Sequence, residues 1–473
     1  MIRRKFIQNL TWLTGGIIFT ACHPEKLATS QTKKLKGFVK SGGTGVPGVV
    51  ISDGYNVVIT DAKGKYEFEQ HPEAVSVFIS TPSGFAFKNE ENIARHYQLL
   101  SSVSDTREVD FNLVPLGKND LDHQFVIWAD PQVKNKSDVE KMMTQSVPDV
   151  KQWVADAGPD ALLHGITVGD IVWDELEYFA DYNLAVKEMG IPFFQCLGNH
   201  DMDYRKGGDE TSDDTFHLTY GPTWYSFNRG KAHYIVLDDV RYLGTERDYD
   251  GYITQAQLDW LQKDLSFVPV DHLIIICLHI PVHSGVKNNS DLYALIKDRN
   301  VHIMSGHTHY NVNAENNNMY EHNHGTVCGA WWTGKICGDG TPSGYGVYTV
   351  KGNELSWQYK SVGETIDYQF SIYTSKLADN TKEVLVNIWN FDSAWKATYA
   401  IDGVQMGSLE QIEGYDPVAY ATMLGPDLPN PRGFAEPRKT NHLFKTIVPA
   451  SANQITITAT DRFGKEYTST RNL

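Results

Sequence analysis

Residues 193–201 read Phe-Phe-Gln-Cys-Leu-Gly-Asn-His-Asp, an apolar run closed by a glycine, an amide, an imidazole and a carboxylate. Such a run is typical of a buried strand. Four more apolar runs end in polar residues, which are Asp130 and Gln132, Asp170, His279, and His307 with His309. In an open α/β sheet, side chains at the carboxyl ends of strands meet in one crevice. Five such clusters therefore predict one shared site.

The segment around these clusters alternates strands with helices between about residues 121 and 360, which indicates a layered α/β core. Apolar residues from Val139 to Ala157 keep helical phase, and Pro148 predicts a kink or two short helices. A helix is expected to begin after Thr254, which with Gln257 makes a capping box.

Short alternating strands with glycine turns flank this core on both sides. We place an N-terminal β-sandwich at residues 34–116, the catalytic domain at 117–361 and a C-terminal β-sandwich at 362–473. Gly45 to Val49 and Thr60 to Tyr66 resemble the patterns of the carboxypeptidase-regulatory-like sandwich. The N-terminal unit has no cluster of His, Cys and carboxylate at ligand spacing, so we expect a spacer or docking role for it.

The bulk composition excludes some classes of protein. The chain has 473 residues, 41% of them hydrophobic and 21% charged, which is typical of a globular protein with two to four domains. Its formal net charge of −16 argues against a nonspecific nucleic-acid binder, which would carry a basic face.

The first 22 residues are typical of an export signal. Arg3, Arg4 and Lys5 precede an apolar stretch from Leu10 to Ala21 that is too short to span a bilayer. Phe19 to Cys22 resembles a bacterial lipobox, whose cysteine is lipidated, and residues 3–8 resemble a twin-arginine signal. A plain secretory peptide is the alternative.

Residues 23–33 are interpreted as a tether. The four cysteines other than Cys22 are expected to be buried and unpaired, although Cys328 and Cys337 flank a loop and could pair.

The polar clusters together resemble the calcineurin-like metallophosphoesterase family. Its pattern is Asp-x-His, Gly-Asp-x-x-Asp, Gly-Asn-His-Asp, a separate His and Gly-His-x-His. The chain meets every element except the first His, which is replaced by Gln132. The resemblance covers about half of the chain and implies a four-layer αββα core that holds two divalent metal ions.

The resemblance also implies a role for each residue. Asp170 would bridge the ions. Asp130, Gln132 and His309 would complete the first metal site, and Asn199, His279 and His307 the second. His200 would face the substrate as a catalytic residue, and Asp201 would hydrogen-bond to it. Two such ions can share a hydroxide that attacks phosphorus. Ligands of mixed oxygen and nitrogen type suit Mn, Fe or Zn.

Gln132 has two interpretations. Its amide oxygen is a neutral, harder ligand than imidazole, so it would bind its ion more weakly or favour Mn or Fe over Zn. Alternatively, it hydrogen-bonds to water on the metal. A subgroup of the family has Asp-Pro-Gln here, as residues 130–132 do, so we expect activity to be retained.

Other candidates surround the motifs. Asp174 completes Gly-Asp-x-x-Asp, and we expect it to be a peripheral carboxylate. Trp331 and Trp332 are candidates for the wall of the substrate pocket, with ordinary packing as the alternative. His164 is expected to be a core histidine, and His322 and His324 are weaker candidates in a polar loop.

The sequence therefore predicts an exported, membrane-tethered phosphoesterase of the bacterial envelope, periplasmic or at the cell surface. Its substrate would be a phosphorylated small molecule or envelope component, with monoesters and diesters both open. The alternative is a surface binding protein with a weakened, non-catalytic metal core. We expect no nucleic-acid partner, and the C-terminal domain is expected to border the active-site cleft.

Overall fold

The structure, a computed structural model, describes residues 33–316, 319–424 and 435–473. The predicted export signal, Cys22 and most of the tether lie outside the described residues. So does the whole stretch rich in Pro and Gly between Gly425 and Arg432. No helix in the described ranges is long and apolar enough to cross a membrane.

Two sheets form the centre of the molecule, as far as the chain is described. In spatial order, the first pairs Glu354–Ser361, Gly344–Lys351, Asp122–Trp128, Leu163–Val168, Phe193–Cys196, Ile93–Ala94 and Asn89–Glu90. The second pairs Tyr225–Arg229, Ala232–Val236, Leu273–Cys277, Asn300–Ser305, Met319–Asn323 and Val312–Asn316. A separate hairpin pairs Val240–Tyr242 with Tyr249–Gly251.

The middle strands of both sheets run parallel because they are joined by crossover helices. Parallel strands are buried on both faces and need continuous apolar sequence. The strand Leu273–Cys277 meets this requirement, since all five of its residues are buried. With helices outside the two sheets, the core is the predicted four-layer αββα arrangement.

The helices follow the predicted pattern. They are Lys136–Lys141, Val147–Ala157, Phe179–Met189, Asp214–Tyr220, Gln255–Leu265, Val282–Gly285, Asn289–Ile296 and Pro417–Met423, with 3-10 turns at Leu100–Ser102, Leu176–Tyr178 and Asp209–Thr211. The kink expected at Pro148 is a π-helical turn, Met142–Ser146, and the proline stands in the first turn of the next helix. Thr254 caps Gln255–Leu265 by accepting from the backbone N–H of Gln257.

Each flank of the core carries two four-stranded sheets within the described ranges. In the N-terminal unit the strands are Lys34–Ser41, Thr44–Gly45, Lys65–Glu69 and Phe111–Asn112 in one sheet, and Val50–Ser52, Val57–Ile59, Ser76–Ile79 and Tyr97–Leu99 in the other. In the C-terminal unit they are Phe370–Lys376, Lys382–Ile388, Glu410–Tyr415 and Lys439–Val448, and Lys396–Ile401, Val404–Ser408, Gln454–Thr460 and Glu466–Asn472. Both units are β-sandwiches.

The N-terminal unit is continuous with the catalytic core. Ile93 pairs in parallel with Phe193 at the edge of the first sheet. Val57, Phe78 and Tyr97 belong to the same apolar cluster as the central strands. The C-terminal sandwich has an apolar cluster of its own, and the N-terminal sandwich has one as well. The N-terminal unit therefore has a core of its own and also extends the apolar core of the catalytic domain.

Candidate metal centre and active site

The polar residues predicted from the strand ends meet at one place. Asp130, Asp170 and Asn199 follow strands of the first sheet, and His279 and His307 follow strands of the second. The turns that carry them are unusual. Positive φ angles occur at Asp130 (48°), Asp170 (47°) and His307 (71°), a conformation that few non-glycine residues adopt.

Two glycines allow the turns to approach each other. A Cβ atom on Gly169 would lie 2.5 Å from Nδ1 of His279, and one on Gly306 would lie 2.3 Å from Oδ2 of Asp130. Neither position has space for a side chain. The glycines of these motifs are therefore needed for close approach of the ligand-bearing turns.

A group of ligand atoms converges between the sheets. The ligand atoms of Asp170, His279 and His307 all lie within 4.8 Å of one another. Nε2 of His279 is 3.2 Å from Oδ1 of Asp170, 3.1 Å from Nδ1 of His307 and 3.0 Å from Oδ1 of Asn199. Val168 accepts a hydrogen bond from Nδ1 of His279 at 2.9 Å, which fixes the ring so that Nε2 faces the group.

The residues assigned to the first metal site lie beside this group. Asp130 is fully buried, and both of its carboxylate oxygens lie 3.0 Å from the backbone N–H of His307. Nε2 of His309 is 3.7 Å from Oδ1 of Asp130. The other ring nitrogen of His309 is 2.9 Å from the carbonyl oxygen of Gly329, which leaves Nε2 for the centre.

Gln132 is buried with these residues. Its Nε2 donates to Oδ2 of Asp170 at 3.1 Å. Its Oε1 is buried and has no hydrogen-bond partner among the described residues. A buried oxygen without a hydrogen bond lowers the stability of the folded protein. Oε1 of Gln132 is therefore available to bind a cation or a water molecule on that cation. Both interpretations of Gln132 stay open.

The electrostatics of the centre favour a cation. Burial raises the pKa of Asp130 well above its usual value. Burial alone would lower the pKa of His279, but the charge of Asp170 and their hydrogen bond raise it to about 10. Burial lowers the pKa of His307 to about 3 and that of His309 to about 4, so both rings are neutral and offer lone pairs. Two buried carboxylates beside neutral imidazoles and amides are a suitable donor set for divalent ions.

His200 faces outward from the centre, and its side chain is 20% exposed. Its Nδ1 lies 2.8 Å from Oδ1 of Asp174, and Arg247 lies 2.7 Å from the other oxygen of Asp174. Burial alone would lower the pKa of His200, but the charges of Asp170 and Asp174 raise it. The expected hydrogen bond from Asp201 to His200 is therefore wrong, because Asp174 takes that place.

Asp201 is directed away from His200. It is fully buried and accepts from the backbone N–H groups of Ile171 (3.1 Å), Val172 (3.0 Å) and Gly198 (2.9 Å). It thereby joins the turn after Asp170 to the turn before Asn199. Burial raises the pKa of Asp201 to about 7.

The two tryptophans have different positions. The ring of Trp331 stacks on His309 at 4.1 Å between centroids, and Trp173 lies 6.1 Å from Trp331. Trp332 is buried and its indole N–H donates to the carbonyl of Pro131 at 2.8 Å. Trp331 therefore lines the centre, whereas Trp332 supports the turn beneath it.

The remaining histidines lie in the interior. His322 lies 2.9 Å from a ring nitrogen of His302 and 3.1 Å from Asn313, and His324 lies 2.7 Å from the hydroxyl of Tyr348. Their ring nitrogens are therefore engaged outside the centre. His164 is buried, as expected, but its Nε2 has no hydrogen-bond partner in the described ranges.

Sequence reasoning missed two residues near the site. Trp173, 5.4 Å from the ring of His200, lies inside the Gly-Asp-Ile-Val-Trp-Asp motif and could have been found there. Arg247, at the tip of the hairpin Val240–Tyr242 with Tyr249–Gly251, carries no signal in the sequence.

Three family models match consecutive parts of the chain. Calcineurin-like phosphoesterase matches residues 123–311, and the N-terminal and C-terminal models of calcineurin-like phosphoesterase match residues 33–116 and 321–467. The chain belongs to the calcineurin-like phosphoesterase family. It is therefore a metal-dependent phosphoesterase by family, and this family uses a dinuclear centre of divalent ions.

Solved structures give distant similarities. A dimetal phosphatase from Danio rerio is 14% identical with a TM-score of 0.37, and the match covers 50% of this chain and 96% of that one. A purple acid phosphatase from yellow lupin (Lupinus luteus) seeds is 12% identical with a TM-score of 0.39, covering 67% of each chain. A putative 5'-nucleotidase from Staphylococcus aureus is 14% identical with a TM-score of 0.32, covering 51% of this chain and 54% of that one. A search of curated proteins found no match.

Proposed function

We propose that this protein hydrolyses phosphate monoesters or diesters at a dinuclear centre. The observation that supports the proposal is the convergence of Asp170, His279 and His307, with ligand atoms within 4.8 Å of one another. Asp170 would contact both ions. The first ion would be held by Asp130, Gln132 and His309, and the second by Asn199, His279 and His307.

Two divalent ions held by this set would supply the positive charge that neutralises a phosphoryl group and acidifies an attacking water. The chain's own residues do the rest. His200, held by Asp174, either protonates the leaving oxygen or donates to a phosphoryl oxygen. Asp201 keeps the two motif turns together through three backbone hydrogen bonds. Trp331 and Trp173 would form the wall against which the leaving group lies.

The first test is hydrolysis of an aryl phosphate and a bis-aryl phosphodiester by the purified protein supplied with Mn, Fe or Zn. We expect turnover with two ions bound per chain, and turnover at background in Asp170→Ala. Comparing the two rates separates a monoesterase from a diesterase. Fewer than two ions and no turnover would instead favour a binding protein with a non-catalytic core.

Asp174→Asn sharpens the test within the same assay. Removing the carboxylate that orients His200 is expected to lower kcat by about 100-fold, within the usual range for acid–base groups, while two ions still bind. An unchanged kcat would remove His200 and Asp174 from the reaction.

We also propose that the protein is an exported lipoprotein anchored through Cys22, on the sequence pattern of residues 1–22 alone. Fatty-acid labelling of the protein expressed in a bacterium tests this. Label in the wild type and none in Cys22→Ala is expected, whereas an unlabelled, released wild type would show a plain secretory peptide.

A further inference from the structure

The loop of residues 326–341, here called the tryptophan loop, holds the metal-ligand candidate His309 from two sides. The carbonyl oxygen of Gly329 accepts from Nδ1 of His309 at 2.9 Å. The backbone N–H of Gly338 donates to the carbonyl oxygen of His309 at 3.0 Å. Trp331 adds its stacked ring. The position of His309 therefore depends on where this loop lies.

The far end of the tryptophan loop is bonded to the C-terminal sandwich. Oδ2 of Asp339 lies 3.1 Å from Nε2 of His442, and both side chains are nearly fully buried. Nδ1 of His442 lies 2.6 Å from Oδ1 of Asn387, and Nδ2 of Asn387 donates to the carbonyl oxygen of Asp339 at 2.9 Å. Asp339 thus meets the sandwich through both its side chain and its backbone.

Asp339 is also bonded within the catalytic domain. It accepts from the backbone N–H of Asn311 at 2.8 Å, two residues after His309, and from Thr341. Burial alone would raise the pKa of Asp339, but its hydrogen bonds, led by that from His442, lower it. A single buried carboxylate thereby joins the loop, the segment after His309 and the C-terminal sandwich.

More backbone contacts lie beside this pair. The carbonyl oxygen of Gly338 accepts from the backbone N–H of Arg438 at 2.7 Å. Nδ2 of Asn387 also donates to Asp416 at 2.8 Å, the residue that caps helix Pro417–Met423. A buried polar contact of this kind adds little stability compared with apolar packing of the same volume, but its hydrogen bonds require one defined geometry. The arrangement therefore suits a positioning role better than a purely adhesive one.

We propose that the C-terminal sandwich positions the metal ligand His309 through the pair His442–Asp339 and the tryptophan loop. His442 touches neither metal ligands nor substrate, so it is a positioning residue. The inference rests on the proposed metal centre. It predicts that a change far from the centre weakens the binding of one ion and leaves the other unchanged.

The experiment measures Mn²⁺ dissociation constants by calorimetric titration of the full chain. His442→Ala is expected to weaken one of the two ions by about tenfold, in the range for residues that orient metal ligands. His442→Gln keeps one amide donor for Asp339 and is expected to recover most of that loss. The visible absorption of the Co²⁺-loaded protein should change in His442→Ala, because the imidazole of His309 shifts.

The matched control is Ile457→Ala, a cavity variant in the apolar core of the same sandwich. It is expected to lower the melting temperature while leaving both dissociation constants and the Co²⁺ spectrum unchanged. If His442→Ala does not fold, Asp339→Asn carries the comparison, with one weakened ion expected, and His442→Gln stays the variant that keeps near wild-type affinity.

Dissociation constants of His442→Ala, or of Asp339→Asn in its place, equal to those of the wild type would overturn the inference. A loss of affinity in Ile457→Ala as large as in His442→Ala would also overturn it, because any damage to the sandwich would then suffice. If the wild type binds fewer than two ions, the proposed function is wrong. If the wild type binds two ions and the variants bind them equally well, only the positioning inference is wrong.

Discussion

The two sandwiches have similar architecture and are attached to the catalytic core in different ways. The N-terminal sandwich contacts the core through apolar packing, strand pairing and separate hydrogen bonds along the contact. Trp260 donates to Ser52 at 3.1 Å, and Trp224 donates to the carbonyl of Gly54 at 2.7 Å. The C-terminal sandwich reaches the core through the buried polar group around Asp339.

The two attachments also lie at different ends of the strands. Ile93 pairs with Phe193 at the amino end of strand Phe193–Cys196, whereas Asn199 follows the carboxyl end. The tryptophan loop lies against His309 at the carboxyl end. The N-terminal sandwich therefore adds to the stability of the core, and the C-terminal sandwich adds to the geometry of the site.

A matched pair of glycine substitutions gives the largest expected contrast between these attachments. Gly340 has a φ of +85°, and a Cβ on it would lie 2.2 Å from Cγ of Asp416. Gly54 has a φ of +92°, but its Cβ would meet Trp224 only at 3.5 Å. Both alanine variants carry about 1–2 kcal/mol of backbone strain, and only Gly340→Ala adds a clash of about 1–3 kcal/mol.

We therefore expect Gly340→Ala to lose about 2–5 kcal/mol of unfolding free energy and most of its turnover. Gly54→Ala is expected to lose about 1–2 kcal/mol with unchanged turnover. Denaturant unfolding and the aryl phosphate assay measure the two quantities. Equal losses of turnover in both variants would mean that the two attachments do not differ in their effect on the site.

The sequence predicted the ligands because each follows an apolar run that is typical of a buried strand. Parallel strands of one sheet bring their carboxyl ends together, so position in the sequence predicts the meeting of Asp130, Asp170 and Asn199. His279 follows a strand of the second sheet, and the packing of the two sheets brings it to the same place. The sandwiches were predictable for a similar reason, because apolar residues that alternate with polar ones between glycine turns indicate strands with one buried face.

The partner of His200 could not be predicted in this way. Asp201 follows His200 directly, whereas Asp174 lies 26 positions before it in another motif, and only the fold decides which carboxylate reaches the ring. Asp201 turns back to the N–H groups of Ile171 and Val172, so Asp174 is left for His200. Likewise Trp331 and Trp332 are neighbours with the same φ sign, and only the path of the loop decides which indole meets His309.

The contact between Asp339 and His442 was beyond sequence reasoning as well. These residues are 103 positions apart, and no periodicity or motif connects them. The joining of Ile93 to the catalytic sheet is of the same kind, because a two-residue strand leaves no pattern. Contacts between units are set by packing of whole domains, which local propensity does not report.

A substitution of His96 tests whether the N-terminal attachment affects the stability of the protein without affecting the geometry of the site. It is buried, 4.3 Å from the ring of Tyr225 and 5.9 Å from Phe194, and neither ring nitrogen has a hydrogen-bond partner in the described part of the chain. Burial, with a smaller contribution from Arg95, lowers its pKa to about 3.

Because the folded pKa lies below the unfolded value of about 6.5, this neutral ring contributes stability above pH 6.5 that is lost as the pH falls towards 3. At pH 5 the loss for this one group is about 2 kcal/mol. His96→Phe is expected to remove it, so the drop in unfolding free energy between pH 7.5 and pH 5 should be about 2 kcal/mol smaller than in the wild type. The same variant should keep the wild-type Mn²⁺ dissociation constants at pH 7.5, because the N-terminal attachment does not contact the ligand-bearing turns. A weakened ion in His96→Phe would show that this sandwich, too, acts on the centre, and the contrast between the two attachments would then be one of degree.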